Sequence, residues 1–202
     1  MVTIGEQIKT TEETVLCFVA QFFCILGEQN MKNTKFMLQG ALIAALYVAL
    51  TFVSAACGLA SGAVQIRLSE LLCVLPIYTA AAIPGLTIGC FLANLLTGST
   101  IWDIVFGTLA TFLGVLLAYL LRRIPYLAPL PTILANGLII PIVLVVSGIV
   151  PGSAYAFTVV TVTAGEVISC GLFGLCLVWY LEKHEHTRQM LFGNLPLRER
   201  KK

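Results

Sequence analysis

ELLCVLPIYTAAAIPGLTIGCFLANLL, residues 70–96, decides how many times this chain crosses a membrane. After Glu70 the stretch holds no charge, and it is interrupted by Pro84-Gly85, a dipeptide that favours a turn. One kinked helix would make it a single span; two short apolar segments, Glu70–Ile83 and Gly85–Leu96, would make it two. The runs on either side are easier to bound. Phe36–Cys57 precedes it, followed by a polar, glycine-rich stretch, Gly58–Ser69. Asp103–Leu121 comes after it and ends at Arg122, Arg123 and Pro125. Pro131–Ile149 is closed by Pro151-Gly152, and Tyr155–Leu181 is the last run.

Charge arbitrates between the two counts. With six spans, Lys32, Lys35, Arg122, Arg123 and the tail residues Arg198, Arg200, Lys201 and Lys202 share one side, which the positive-inside rule makes cytoplasmic. With a single middle helix, Arg122-Arg123 and the C-terminal tail would lie opposite Lys32 and Lys35. The sequence therefore predicts an all-α membrane protein with six transmembrane helices and both termini cytoplasmic. Gly58–Ser69, Thr97–Trp102 and Val150–Ala154 then face outside. No internal repeat is visible, so an inverted-repeat carrier is not supported.

Composition agrees with a membrane-embedded class. Only six of the 22 charged residues (Arg67, Glu70, Asp103, Arg122, Arg123, Glu166) lie within the 146 residues from Phe36 to Leu181. A soluble core of that size would need many more to cover its surface. The chain is 58% hydrophobic with a mean hydropathy of +0.95. Its basic residues sit in tails and short loops, which gives no footprint for nucleic acid. Seven scattered cysteines form no CxxC pair or Cys/His cluster, so they read as small buried hydrophobes. Residues 1–30 read as an N-terminal extension: Met31 is the expected working start, and the competing reading of Val15–Leu26 is an interfacial helix. Residues 31–181 form the transmembrane domain and 182–202 a basic cytoplasmic tail.

The polar groups left inside such a bundle are the route to function. Ala41, Ala45 and Ala49 share one helical face, where small side chains permit close approach of another helix, in this chain or in a partner. Gln65, Arg67, Ser69 and Glu70 cluster ahead of the middle pair. Val64–Leu68 alternates like an extended segment, and Ser69 suits an N-cap with Glu70 in the first turn. Asn94 falls near the outer end of the third span, and Asp103 opens the fourth after Trp102. Asn136 and Glu166 lie within later spans. An ionised carboxylate at the centre of a span costs roughly 2.5–3.5 kcal/mol and usually faces a cavity or a partner. No Walker-type loop, nucleophile elbow or HExxH occurs, so the chain is expected neither to be an enzyme nor to hydrolyse ATP by itself. From the residues alone, a solute-binding subunit, a stand-alone proton-coupled carrier that relays through Glu166, and a non-transporting scaffold remain open.

The combination resembles the substrate-binding S component of energy-coupling factor (ECF) transporters, and within it the queuosine-precursor transporter family, QueT. The likeness rests on Ala45–Thr51, Val64–Glu70 with Leu75-Pro76, and Ala82–Leu86 with Gly89-Cys90 and Ala93-Asn94. Asp103 with Phe106–Thr111, and Gly165–Ser169, complete it. It covers about residues 32–181. The resemblance implies an ECF-like six-helix bundle that takes up a queuosine precursor, a deazaguanine base such as its aminomethyl form. It also implies docking, through the alanine row, on a coupling transmembrane protein driven by two ATPase subunits, with no cofactor bound by this chain. An S component for another vitamin-like metabolite is the nearest alternative. The substrate-binding residues expected are Gln65, Arg67, Glu70, Asn94, Asp103, Asn136 and Glu166. A carboxylate can accept the paired N–H groups of a guanine-like edge, and a second can neutralise an aminomethyl cation.

Overall fold

The computed structural model describes residues 34–59 and 66–192. The chain divides into two compact units, residues 1–38 and 39–202. Residues 34–38, the described part of the first, form the opening turn of helix α1 (Thr34–Ala56). In the second unit, a 3₁₀ segment covers Leu68–Ile77 and is followed by α2 (Ala82–Leu96). Next come α3 (Ile101–Leu120) and α4 (Pro129–Val146). The last long helix is composite: α5 (Tyr155–Glu166), a π-helical stretch (Val167–Phe173) and α6 (Gly174–Lys183). A short helix α7 (Glu185–Phe192) follows.

The fold is an all-α bundle, but the expected six spans are overturned. Among the described residues four helices are long and apolar enough to cross: Thr34–Ala56, Ile101–Leu120, Pro125–Val146 and Gly152–Lys183. The middle pair falls short. Ten residues of 3₁₀ helix at about 2.0 Å per residue reach about 20 Å. Fifteen residues of α-helix at 1.5 Å reach about 22 Å. The hydrocarbon core is about 30 Å thick. The break is also misplaced in the sequence reading, because the chain turns at residues 78–81 rather than at Pro84-Gly85. Pro84 sits in the first turn of α2, where no intrahelical partner awaits its missing N–H. Gly85 serves packing instead: a Cβ there would lie 2.6 Å from the Gly40 carbonyl oxygen of α1.

The 3₁₀ segment forms the middle of the core. Ser69, Glu70 and every residue from Leu72 to Ile77 are buried. It packs against α2, α3, the π stretch and α6. Backbone that departs from the α-helix is tolerated in lipid only where protein surrounds it, and here protein does. The outer faces of the long helices carry exposed Leu42, Leu117, Leu138, Val160 and Leu172, which would be an aggregation hazard in water and is ordinary in a bilayer.

Three helices end alike. α1, α2 and α4 are each followed by a glycine at φ near +70°, Gly58, Gly98 and Gly148. In each the next N–H returns to a carbonyl five residues back (Leu59 to Ser54, Ser99 to Asn94, Ile149 to Leu144). This is the Schellman stop, which needs a residue without a Cβ penalty in the left-handed region.

Candidate functional site

Several buried polar residues gather at one cleft in the second unit. Its wall comprises Arg67, Glu70, Gly107, Thr111, Asn136, Ile140, Val162 and Glu166, around a narrow cavity of about 20 Å³. Of the sequence-predicted set, Arg67, Glu70, Asn136 and Glu166 line it directly. Asn94 and Asp103 adjoin it through Arg67. Gln65 lies outside the described residues.

Glu166 ends α5, where the helix widens into its π stretch, a distortion found often at functional sites. Asn136 Nδ2 donates to Glu166 Oε1 at 3.0 Å. Glu166 Oε2 is buried with no hydrogen-bond partner among the described residues. Glu70 differs. Its Oε1 accepts from the Tyr47 hydroxyl at 2.5 Å and its Oε2 from the Cys73 thiol at 3.1 Å.

Arg67 reaches over the cleft from an extended backbone conformation (φ −102°, ψ 103°) just ahead of the 3₁₀ segment. Its Nη1 donates to Asn94 Oδ1 at 3.3 Å, and its Nη2 lies 3.6 Å from Asp103 Oδ2. Burial disfavours the Arg67 cation, but Asp103, together with Tyr47, Cys90 and Glu70, more than offsets this and holds the guanidinium pKa above its ordinary value. Asp103 sits in the first turn of α3, where its N–H donates to the capping Thr100 hydroxyl at 3.3 Å. The expected N-cap at Ser69 does not form. Ser69 lies inside the 3₁₀ segment, and its hydroxyl is 2.9 Å from that of Thr51.

The residues that sequence reasoning missed in the wall were within its reach. Gly107 is one helical turn after Asp103, Ile140 one turn after Asn136, and Val162 one turn before Glu166, so each shares a face with a predicted polar group. Gly107 leaves room: a Cβ there would lie 3.2 Å from Asn94 Nδ2. Tyr47 carried no such signal. On α1, Ala41, Ala45 and Ala49 are exposed, while Ala44, one position away, is buried against Gly89.

A multi-helix apolar bundle with four helices long enough to cross a bilayer, and with charged and amide groups turned into an internal cleft, defines a multi-pass membrane protein. The QueT transporter family matches residues 37–183, and the chain belongs to that family. Its general role is therefore transport rather than enzymatic catalysis. The "Queuosine precursor transporter QueT" of Lactococcus lactis subsp. cremoris (strain MG1363) is 37% identical over 81 residues, 38% of this chain and 47% of that protein. The matched region thus spans about half the length of this curated relative. No solved structure matches the chain.

Proposed function

We propose that this chain is the substrate-binding S component of an ECF-type importer and captures a queuosine precursor, a deazaguanine base. The observation that carries the reading is Glu166, whose Oε2 is buried in the cleft without a hydrogen-bond partner among the described residues while Asn136 holds Oε1. A guanine-like edge presents adjacent N–H donors, and a fixed carboxylate is their natural acceptor. Glu70, engaged by Tyr47 and Cys73, supplies the second negative charge, suited to an aminomethyl cation. Arg67 closes over the base by stacking, steadied by Asn94 and Asp103. Gln65, outside the described residues, completes the proposed set.

The exposed row Ala41, Ala45 and Ala49 supports docking on a coupling transmembrane protein. Two ATPase subunits of that complex supply the energy, and both termini of this chain face the cytoplasm. Calorimetric titration of the purified chain with aminomethyl-deazaguanine and with guanine tests the ligand. Saturable binding of the deazaguanine is expected, weakened about tenfold or more in Glu166→Gln, as suits the loss of a charge-assisted hydrogen bond. Unchanged binding in that variant would remove Glu166 from the site. Ala45→Trp is expected to block uptake while leaving binding intact; equal loss of both would make the alanine row internal packing.

A further inference from the structure

Three side chains of α1 hold the segment that carries Arg67 and Glu70. Tyr47, Thr51 and Ser54 are spaced four and three residues apart and so share a helical face. The Tyr47 hydroxyl donates to Glu70 at 2.5 Å, the Thr51 hydroxyl lies 2.9 Å from that of Ser69, and Ser54 Oγ accepts the Leu68 N–H at 2.8 Å. The three rungs thus land in register on residues 70, 69 and 68. The last is a helix cap supplied from another element, because Arg67, at the cap position of the 3₁₀ segment, makes no side-chain capping bond. Tyr47, Thr51 and Ser54 are 1%, 8% and 0% exposed, and none of them lines the cleft.

We infer that Tyr47, Thr51 and Ser54 are positioning residues for solute capture: through this ladder α1 sets where Arg67 and Glu70 stand, and so tunes affinity without touching the solute. The inference rests on the cleft being the solute site. Its physical content is that residues 68–70 move with α1. A shift of α1 draws Glu70 with it and changes the angle at which Arg67 meets Asn94 and Asp103. The opposite face of α1, with Ala41, Ala45 and Ala49, is exposed, so a push on that face reaches the cleft across one helix diameter.

The test uses the full chain with matched substitutions. Thr51→Val keeps the shape and loses the hydroxyl; Thr51→Ser keeps the hydroxyl. Thr51→Val combined with Tyr47→Phe is expected to weaken aminomethyl-deazaguanine binding about tenfold, mostly through faster dissociation. Thr51→Ser is expected to stay close to the parent. Binding at parental strength in the double variant, when Glu166→Gln has lost it, overturns the ladder and leaves the cleft standing. Parental binding in Glu166→Gln overturns the cleft itself. A second readout needs no solute: hydrogen exchange at Leu68–Glu70 in the ligand-free protein rises in Thr51→Val and not in Thr51→Ser. Equal exchange in the two also overturns the ladder.

Discussion

Glu70 and Glu166 border the same cleft, yet their oxygens are differently committed. Both oxygens of Glu70 accept hydrogen bonds from the protein, whereas Glu166 keeps one without a partner among the described residues. A satisfied carboxylate is a fixed charge; one with a bare oxygen is an acceptor. The Arg67–Asp103 pair can be judged in the same terms. Its side chains are 26% and 10% exposed at 3.6 Å, so solvent screening limits its worth to stability to about 1 kcal/mol or less. Asp103→Asn is therefore expected to shift the unfolding temperature little, while solute affinity falls several-fold because Arg67 loses its orienting charge. Parallel thermal unfolding and titration check this, and a large stability loss with unchanged affinity would make the pair structural. At this scale the sequence was informative where a charge or amide interrupts an apolar span, as at Asn136 and Glu166. It was silent at Tyr47, because a tyrosine among leucines and alanines reads as filler until its partner is known. Glu70 also looked freer than it is, since neither Tyr47 nor Cys73 could be assigned to it from spacing alone.

Close helix approach is written in glycines that face neighbouring backbone. A Cβ at Gly85 would lie 2.6 Å from the Gly40 carbonyl oxygen, and one at Gly89 would lie 2.8 Å from Tyr47 Cβ. These two positions seat α2 against the face of α1 that bears the ladder. Gly85→Ala must push the backbones apart, and overpacking of this kind costs roughly 1–3 kcal/mol. Gly98→Ala meets nothing within 4 Å and pays only for its φ of +72°, a penalty of about 1 kcal/mol. Gly85→Ala is expected to lower the unfolding temperature further and to weaken solute binding; Gly98→Ala should leave binding unchanged. Calorimetry and titration on the two proteins decide it. Element boundaries for the long helices were legible to within about three residues, because apolar length and flanking charge define them. The middle pair was not. Apolarity alone does not distinguish a 3₁₀ segment wrapped in protein from a span facing lipid, and Pro-Gly reads as a turn even when the proline opens a helix. The π stretch after Glu166 left no mark in composition either.

Across the whole molecule, four crossing helices and one short pair constrain the sidedness of every loop. The Schellman ends of α1, α2 and α4 each carry a glycine and no charge, whereas α3 ends beside Arg122 and Arg123. If the short pair begins and ends on one side, Cys57 and Ser99 share that side, and Arg123 lies on the other with the C-terminal region. The far end of the pair carries an anchor of its own. Tyr78 stacks on Phe192 of α7 at 5.6 Å, and Gln39 Nε2 donates to the Leu191 carbonyl at 2.8 Å. Arg188 joins Glu182 and Glu185 at 3.3 and 3.1 Å. Labelling with a membrane-impermeant maleimide reads this arrangement directly. In a background retaining only Cys57, which is exposed, and then in ones carrying Ser99→Cys or Arg123→Cys instead, the first two should react from outside intact cells and the third only after permeabilisation. Reaction of Ser99→Cys from the side opposite Cys57 would mean that the pair crosses once in total. The C-terminal region would then lie opposite Lys35, and the two arginines after α3 would lose the sidedness that the positive-inside rule assigns them.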